Sequence, residues 1–449
     1  MSLTTFHKIG QNRDKPRIWL ESRRLEQAGF PSGTAFSVQR TPGGLVIVTG
    51  GTRSVSSRRQ AGGTRPIIEI SGAAIGEAFA GIDTIKARCR CNRIDIRPTY
   101  RAAAILKARQ KSGVFRAFEL FAGGGTLSDA AARCPSIELA GGAEFDPAYA
   151  DAWCGKHPES EMFLGDIRLI HPAELPRFDI LIAGIPCTSH STMGRAKKKL
   201  AGRPEDGDTG DLFAWVLNIV AHRPPAACVF ENVPSFGTSL AGGVLKSGLS
   251  QLGYHLHETT LEPHSQWGEP SDRRRWALVA TLHPGFEIRP PPEPRRITCA
   301  ECLDPENTEA DKTDAARIAK TIEGLKAHNA RHAALGHGFA FTTINRESGK
   351  VPTIPKSYHK INTGPFVETP HGPRLLRLHE AEAIMGSQAG TANYATGIQI
   401  IGQGVQTRIW EQILSQLGGF LQNPPAAQAN QTNQTNQTTQ ALQGELFAI

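Results

Sequence analysis

The sequence contains no apolar run long enough to cross a membrane. Across its 449 residues, no stretch of about 18 consecutive apolar residues occurs. The N-terminus, MSLTTFHKIGQNRDK, has no apolar h-region of the kind that directs a chain to secretion. The eight cysteines are scattered along the chain and do not form a disulfide framework. Together these absences predict a protein of the reducing cytoplasm that has no membrane partner.

Metal-ligand patterns are also scarce. Cys299 and Cys302 have the spacing of half a zinc site. No second pair of Cys or His follows them at a fitting distance. We therefore predict that the protein has no metal site.

Acidic residues are in deficit relative to basic ones. Lys and Arg total 50 against 42 Asp and Glu, so the net charge is +8 and the isoelectric point is near 9.1. A surplus of this size suits a polyanionic partner, although many proteins without such a partner are equally basic. The charge favours nucleic acid without identifying it.

Residues 1–98 contain an internal repeat. At an offset of fifty, the matching pairs are Pro16 and Pro66, Ile18 and Ile68, Leu20 and Ile70, Leu25 and Ile75, and Ala28 and Ala78. Each copy predicts a short strand, one or two helical turns, and two strands joined by a tight turn. The segment between the copies, TRSVSSRRQAGGT, is rich in Ser, Gly and Arg and is typical of a linker. Because one copy cannot bury its apolar face alone, the two copies are expected to pair into one β-rich domain.

This repeat resembles the AbrB-type swapped-hairpin family, which includes DNA-binding regulators and SymE-like proteins. The match covers about 80 residues with loose motifs. An accessory β domain without any nucleic-acid role is the alternative. The segment YRAAAILKARQKSG, within residues 99–113, predicts a connecting helix.

From about residue 114, strand-like apolar runs alternate with helical stretches, which predicts a parallel α/β sheet. The strand candidates are FRAFELFA, IELAGGAEF, FDILIAG, ACVFENV and WALVATL. Residues 281–370 interrupt this alternation with segments rich in Pro, His and basic residues, as an inserted domain would. Residues 421–449 form a Gln/Asn/Thr-rich tract that is too polar to build a core, so disorder is expected there.

A glycine turn follows the first of these strands, in Phe118-Glu-Leu-Phe-Ala-Gly-Gly-Gly-Thr126, and a helix is predicted from about Leu127. Glycines let the backbone approach a cofactor closely, and a helix N-terminus favours groups with negative charge. Glu144 ends the next strand, 21 residues after Gly123, where a carboxylate can accept hydrogen bonds from ribose hydroxyls. A dinucleotide-binding motif would place its third glycine at Ser128. The loop alone therefore leaves a methyltransferase and a dehydrogenase both open.

Two reactive side chains follow the next strands. Cys187 lies in a polar loop, Ile185-Pro-Cys-Thr-Ser-His-Ser191, just after FDILIAG, and Glu231 lies at the end of ACVF. The C-terminal ends of neighbouring parallel strands meet at one edge of a sheet, which is where ligands bind. A carboxylate raises the pKa of a neighbouring thiol, so Glu231 is predicted to hold or protonate the substrate and not to activate Cys187. A small core residue is the alternative interpretation of Cys187.

These motifs, in this order, resemble those of the DNA (cytosine-5) methyltransferase family from about residue 115 to 417. The matching segments are the FAGGG loop, Glu144-Phe145-Asp146, Gly165-Asp166-Ile167, Pro186-Cys187, Glu231-Asn232-Val233, Gly268 to Arg275, Arg374 to Gly386, and Gly402 to Val405. The resemblance implies an α/β, Rossmann-like S-adenosylmethionine-dependent methyltransferase domain. It also implies double-stranded DNA as substrate and a monomer acting on a flipped base.

The resemblance also assigns roles to residues. Cys187 adds to C6 of the cytosine, and Glu231 binds N3 and the exocyclic amine. Arg275 holds O2, with Arg273 supporting the loop. The implied cofactor-binding residues are Phe121, Gly123, Gly125, Glu144, Phe145, Asp166, Ile167, Pro186, Leu212, Gln403 and Val405. Residues 114–280 and 371–420 would form the catalytic domain, and residues 281–370 the target-recognition region.

Two departures from the family pattern leave other functions open. Ser271 stands where the Q-x-R-x-R element has glutamine, and Gln403 stands where the tenth motif has asparagine. An inactive homologue that acts as a DNA-binding regulator is one alternative, and an RNA cytosine-5 methyltransferase is another. The size of the 281–370 insertion favours DNA, because it is large enough to enter a groove.

The last residues contain a short apolar motif at the end of the polar tract. Gln443-Gly-Glu-Leu446-Phe447 resembles the Q-x-x-L-F peptide by which bacterial replication and repair proteins dock on the sliding clamp. A flexible tether that presents one Gln and two apolar anchors suits a preformed pocket. We expect a bacterial or phage-encoded, nucleoid-associated protein with the clamp as a second partner. The alternative is that Leu446 and Phe447 fold back on the catalytic domain.

Overall fold

The computed structural model describes residues 3–60, 63–186, 210–334, 341–361 and 364–425. Cys187 and the Gln443–Phe447 motif lie outside these ranges. The chain divides into two compact units, one of residues 1–111 with 219–224, the other of residues 112–218 with 225–449. In the described ranges, no helix is both long and apolar enough to span a membrane.

The N-terminal unit has the element order that the repeat predicts. Its elements are β1 (Leu3–Lys8), β2 (Gly10–Asn12), β3 (Lys15–Glu21), α1 (Arg24–Gln27), β4 (Ala35–Thr41), β5 (Gly44–Thr49), β6 (Arg53–Ser54), β7 (Ser56–Gln60), β8 (Gly63–Ser71), α2 (Ala73–Ala78), β9 (Thr84–Arg90), β10 (Arg93–Pro98) and α3 (Tyr100–Arg109). Each copy is a strand, a short helix and a two-stranded hairpin, as predicted. The segment predicted to connect the domains contains the helix α3, and the Thr99 side chain caps it by accepting the Ala102 N–H.

The two copies pair with each other through equivalent strands. β3 pairs with β8, which places Ile18 opposite Ile70. β5 pairs with β10, which places Ile47 opposite Ile94. These side chains belong to one buried cluster with members from both copies, so the predicted pairing into one β-rich core is confirmed.

The predicted linker between the copies is wrong. Residues 53–54 and 56–60 form β6 and β7, and β7 pairs with β8 as the edge of a four-stranded sheet. An edge strand has one row of backbone partners and needs no continuous apolar face, so a Ser/Arg-rich sequence can adopt it. Composition alone therefore did not distinguish this strand from a loop.

The second unit is built on a seven-stranded sheet with the order β13-β12-β11-β14-β15-β17-β16. Its strands are β11 (Phe115–Leu120), β12 (Ile137–Glu144), β13 (Glu161–Leu164), β14 (Ile180–Gly184), β15 (Ala227–Asn232), β16 (His255–Leu261) and β17 (Arg275–Thr281). The five strand candidates are confirmed. The predicted parallel pairing holds from β13 to β15, whereas β17 runs antiparallel to β15 and to β16.

Helices connect these strands. They are α4 (Thr126–Ala132), α5 (Pro147–Lys156), the 3₁₀ turn Ile167–Leu169, α6 (Leu212–His222), α7 (Pro234–Gly237), α8 (Leu240–Gln251) and α9 (Pro263–Trp267). α4 packs between the sheet and the C-terminal helix α14 (Thr407–Gln422). The apolar face of α14, with Trp410, Ile413 and Leu417, is buried in the main core. The chain's C-terminal elements therefore complete the core around the first helix of the sheet domain.

The elements between β17 and α14 share a second core. They are α10 (Cys299–Cys302), α11 (Glu309–Ala334), β18 (Thr343–Ile344), the 3₁₀ turn Tyr358–Lys360, β19 (Phe366–Val367), α12 (Leu378–Met385) and α13 (Tyr394–Gln403). Their apolar cluster joins Cys299 and Ile318 with Ile384 and Ile401. Residues on both sides of the predicted boundary at 370/371 thus pack together.

A buried ion network links α11 to the segment that resembles the ninth motif. Arg374 is 1% exposed and binds Asp311 at 2.7 Å and Glu380 at 2.7 Å. Removing one partner would leave an uncompensated buried charge, which is strongly destabilising. This network fixes the start of α11 against the chain that leads into α12.

Candidate functional site

The glycine turn after β11 adopts the backbone conformation that its sequence predicts. Gly123 and Gly125 have φ values of 55° and 83°, and Phe121 has a φ of 58°. A Cβ at Gly125 would lie 2.6 Å from Cδ1 of Trp153, which leaves no room for a side chain. The turn therefore depends on glycine both for its conformation and for its close packing.

Glu144 lies beside this turn at the end of β12. Its Oε2 accepts the Gly123 N–H at 2.6 Å, and its Oε1 accepts the Asp146 N–H at 2.8 Å. Each carboxylate oxygen has two lone pairs, so each retains one acceptor site. The structure thus brings together the predicted loop and the predicted ribose-binding carboxylate.

Ser128 has a role that the sequence did not indicate. The Trp153 indole N–H donates to Ser128 Oγ at 2.9 Å, so the single hydroxyl proton is left to donate to the buried Glu119. The chain of hydrogen bonds joins α5, α4 and β11 directly beneath the glycine turn. Serine at the position of a third dinucleotide-motif glycine is therefore part of a polar core.

Next to Glu144, apolar side chains lie exposed at the ends of two paired strands. Phe145 is 72% exposed and Leu164 is 55% exposed, and Leu164 is the β13 partner of Glu144. Sequence reasoning selected Phe145 and missed Leu164, whose short strand has no periodic signal. Two exposed apolar groups beside a hydrogen-bonding carboxylate offer a surface for a flat heterocycle.

Asp166 and Ile167 follow β13. The Asp166 carboxylate accepts the Arg168 backbone N–H at 2.9 Å and binds the Arg168 guanidinium at 2.7 Å. These hydrogen bonds lower the pKa of Asp166. Ile167 is buried. In this arrangement the Asp166 carboxylate caps the 3₁₀ turn that contains Ile167.

The segment that resembles the tenth motif closes over the glycine turn. The Val405 N–H donates to Thr126 Oγ1 at 3.1 Å, and a Cβ at Gly123 would lie 3.4 Å from Nε2 of Gln403. Both predicted residues, Gln403 and Val405, therefore meet the loop from the other end of the chain. Thr126, which makes this connection, was not among the predicted site residues.

Glu231 and Arg275 form a sheltered ion pair at the end of β15. Arg275 Nε lies 2.8 Å from Glu231 Oε1, and their side chains are 14% and 12% exposed. Burial raises the pKa of Glu231, although Arg275 and Arg273 oppose the rise. The raised pKa makes this carboxyl group easier to protonate than that of an exposed glutamate.

The loop that precedes Arg275 is held by a segment far along the chain. The Val351 N–H donates to the Pro270 carbonyl at 2.7 Å, and the Asp272 N–H donates to the Val351 carbonyl at 2.9 Å. Arg273 is 5% exposed and donates to the Ile354 carbonyl at 3.4 Å. Arg273 thus lies inside the loop that the resemblance expects it to support.

Register places Gly184, the end of the strand before Cys187, next to Glu231. Gly184, three residues before Cys187, is paired with Glu231. The Asn232 amide donates to the Ile185 carbonyl at 3.0 Å and anchors the start of the loop. Pro186 directly precedes Cys187 in the sequence. Leu212 is buried at the first position of α6.

A family model described as C-5 cytosine-specific DNA methylase matches residues 115–419. The chain belongs to the C-5 cytosine-specific DNA methylase family. The matched region contains every element of the site described above. The methylase is therefore a DNA (cytosine-5) methyltransferase with S-adenosylmethionine as methyl donor, as the resemblance implied.

Curated relatives agree with this assignment. The methylase is 29% identical to the Type II methyltransferase M.NlaX of Neisseria lactamica over 281 residues, which cover 61% of this chain and 85% of that protein. It is 28% identical to the Type II methyltransferase M.MspI of Moraxella sp over 228 residues, which cover 49% of this chain and 51% of that protein. Both alignments leave part of this chain unmatched.

Solved structures share the fold. The methyltransferase EhMeth of Entamoeba histolytica has a TM-score of 0.54 at 17% identity, covering 70% of this chain and 99% of that one. The Dnmt2 methyltransferase of S. pombe has a TM-score of 0.53 at 17% identity, covering 67% and 97%. The predicted Rossmann-like methyltransferase fold is thereby confirmed.

Proposed function

We propose that the methylase attacks a flipped cytosine with Cys187 while Glu231 and Arg275 hold the ring. The observation that carries this proposal is the sheltered ion pair between Glu231 and Arg275. Glu231 is also the β15 residue that is paired with Gly184 of β14. A loop that leaves the sheet at Gly184 and contains Cys187 starts within one strand spacing of Glu231. The thiol and the carboxyl group are therefore proposed to face one base.

In the proposed reaction, the Cys187 thiolate adds to C6 and forms a C–S bond, and the ring electron pair moves toward C5. Glu231 would hydrogen-bond N3 and the exocyclic amine, and Arg275 would hold O2. Both contacts offset charge that develops as the adduct forms. After C5 has received the methyl group, the C5 proton passes to water, the C6–S bond breaks and the thiolate leaves, which restores the aromatic ring of 5-methylcytosine. Since these groups surround the base, the cytosine must leave the stack.

The residues near the glycine turn fit S-adenosylmethionine. When bound, it supplies an electrophilic methyl group on a sulfonium. The acceptor sites that remain on Glu144 suit two ribose hydroxyls, and Phe145 with Leu164 would flank the adenine. Gly123, Gly125 and Phe121 would shape the loop around the donor, and Gln403 and Val405 would cover it. Asp166, Ile167, Pro186 and Leu212 are the further proposed contacts.

Substitution of the proposed nucleophile tests this mechanism. Cys187→Ser is expected to abolish methyl transfer while S-adenosylmethionine binding stays within about twofold, because Cys187 lies outside the cofactor loop. DNA that carries 5-fluorocytosine should form a denaturation-resistant adduct with the wild type only, since fluorine blocks the elimination step. An adduct that persists in the variant would exclude Cys187 as the nucleophile.

We also infer a division of labour outside the reaction centre. Residues 281–370 would read the target sequence. A restriction enzyme with the same target would accompany the methylase. The methylase would act as a monomer on DNA, in the nucleoid of a bacterial or phage-infected cell. The Type II names of the relatives support the restriction partner. Bisulfite sequencing of DNA from cells that express the chain would give the methylated positions and the target.

The proposed clamp contact concerns Gln443–Phe447 only. A 441–449 peptide is expected to bind a bacterial sliding clamp with a Kd on the order of micromolar, near −8 kcal/mol. Replacing Leu446 and Phe447 by Ala should remove that binding, because both apolar anchors are lost. Equal heats from the two peptides in calorimetry would rule out the contact.

A further inference from the structure

The basic surplus of the chain lies entirely in its N-terminal unit. Residues 1–111 contain 20 of the 50 Lys and Arg but only 7 of the 42 acidic residues, a net charge of +13. The remaining residues contain 30 basic and 35 acidic side chains, a net charge of −5. The unit whose charge suits a polyanion is therefore not the one that contains the proposed catalytic residues.

Strand register gathers part of this charge on one sheet face. In β9, Ile85, Ala87 and Cys89 point into the core, so the alternate residues of that strand point outward. Register with β10 places further basic residues opposite them. We call this surface, with the outward residues of β1 and β10, the basic face: Lys8, Lys86, Arg88, Arg90, Arg93 and Arg97.

Like charges lie directly opposite each other on the basic face. Arg90 is paired with Arg93, and Lys86 is paired with Arg97. The one acidic residue at these register positions of β9 and β10 is Asp95, which binds Arg93 at 2.8 Å. Directly opposed like charges destabilise a sheet. Their presence on an exposed face indicates a ligand that compensates them.

An exposed aromatic ring adjoins the same face. Phe6 on β1 is 70% exposed and is the register partner of Lys86. A large exposed apolar side chain among cations is unfavourable for a surface that meets only water. Sugars and base edges between phosphates offer an apolar contact for such a ring, whereas a small inorganic anion does not.

We propose that the basic face binds the DNA backbone and holds the methylase on DNA independently of the target base. The occupant is DNA because DNA is the substrate of the catalytic unit, and its phosphate spacing presents repeated anions to a row of cations. Such an anchor would contact phosphates, which carry no sequence information. It would raise the affinity for all DNA, with or without the target.

The test compares two charge-matched variants of the full chain. The face variant is Lys86→Gln, Arg88→Gln and Arg90→Gln, all exposed on β9. The control variant is Arg24→Gln, Arg59→Gln and Lys107→Gln, all exposed on other elements of the same unit. Both lose three positive charges. The probe is a 30-base-pair duplex without a methylation target, titrated at several salt concentrations.

The face variant is expected to bind this duplex at least tenfold more weakly at low salt. The slope of log K against log salt should fall by up to about 2.7, which is about 0.9 for each lost phosphate contact. The control variant should keep the wild-type slope. Phe6→Ala should weaken binding without changing the slope, because it removes no charge. Thermal unfolding of each variant shows whether the unit is intact.

Three outcomes would overturn the proposal. Equal losses of DNA affinity in the two variants would mean that total charge, and not the basic face, determines binding. A wild-type salt slope in both variants would mean that the basic face does not contact DNA. Tighter binding of a 30-base-pair RNA duplex than of the DNA would change the partner. The rate of methyl transfer on saturating target DNA should stay near wild type in the face variant, so failure of the catalytic mechanism would be seen separately.

Discussion

Glu119 carries a carboxyl group into the core directly before the glycine turn. It is 2% exposed, and burial raises its pKa to about 8 despite the hydrogen bond from Ser128. An exposed glutamate titrates near 4.5. Between these pH values the folded chain keeps a proton that the unfolded chain has lost, so stability falls as pH rises through this window. Above about pH 8 the loss is complete.

Glu119→Gln should flatten this pH dependence. Glutamine keeps an acceptor for Ser128 but does not titrate, so the Tm of the variant should decline less than that of the wild type between about pH 5 and pH 8. Calorimetry at a series of pH values measures the difference. Glu138→Gln, at an exposed position on the next strand, is the matched control and should follow the wild type. Parallel curves for Glu119→Gln would mean that Glu119 stays ionised in the fold.

Substitution of Arg275 and of its neighbour Arg274 compares a proposed substrate contact with an exposed surface charge. Arg275 pairs with Glu231 at 14% side-chain exposure, whereas Arg274 pairs with Glu262 at 58%. Arg275→Ala is expected to lower kcat about 100-fold or more, because a preorganised donor is lost. Arg274→Ala should change kcat less than about threefold, since exposed pairs contribute little. Similar losses in both variants, measured by methyl transfer, would contradict the proposed role.

At the scale of elements, a hydrogen bond between α4 and the chain after α13 holds these two segments together beside the cofactor loop. We call this contact the join. Thr126 is buried at the first position of α4, and its hydroxyl oxygen accepts the Val405 N–H. Thr126→Val keeps the shape of the side chain but leaves that buried N–H without its acceptor. A loss of about 1–3 kcal/mol in the free energy of unfolding is expected, with weaker S-adenosylmethionine binding. Denaturant unfolding and a binding titration measure both.

Thr126→Ser is the control for this join. Serine keeps the acceptor and loses only a methyl group, so its cofactor affinity should remain near wild type. If the serine variant loses as much affinity as the valine variant, packing of the methyl group, and not the hydrogen bond, holds the join.

Strands with a strong apolar pattern were predictable from sequence. Strands that are recognised only by their backbone pairing with a neighbouring strand were not. β11 and β14 are buried on both faces, so their apolar runs identify them. β16, HLHETTL, and β7, SSRRQ, lie at sheet edges, where polar side chains meet solvent and erase the signal. The reversed direction of β17 has no sequence signal, because a buried strand has the same composition in either direction.

The site shows the same division. Glycines, Glu144 and Glu231 stand at strand ends, where the topology alone brings them together. The contacts from Val351 to Pro270 and from Val405 to Thr126 join segments far apart in the chain. Their residue types are ordinary, so only the folded register identifies them. Leu164 and Ser128 were missed for the same reason.

At the scale of the whole molecule, charge and chemistry are assigned to different units. The apolar clusters that surround the site draw on residues from Phe115 onward. The N-terminal cluster draws on residues from Ile18 to Ala102, with Leu106 packed against it. Separate clusters predict that each unit can keep its own fold when the other is removed.

Removal of residues 1–98 is expected to leave a folded, active catalytic unit. None of the buried side chains of the two clusters around the site would be lost. Thermal unfolding of the truncated chain should therefore show one cooperative transition, and methyl transfer should persist on saturating DNA. Ala102 and Leu106 on α3 would lose their packing partners, so a chain that begins at Ser112 should be the more soluble of the two.

Because the deleted part carries the basic surplus, both truncations should bind DNA more weakly and with a flatter salt dependence. Calorimetry, methyl-transfer assays and DNA titrations at several salt concentrations test each statement. Insolubility of both truncations would mean that the two units depend on a shared core, contrary to the clusters described above.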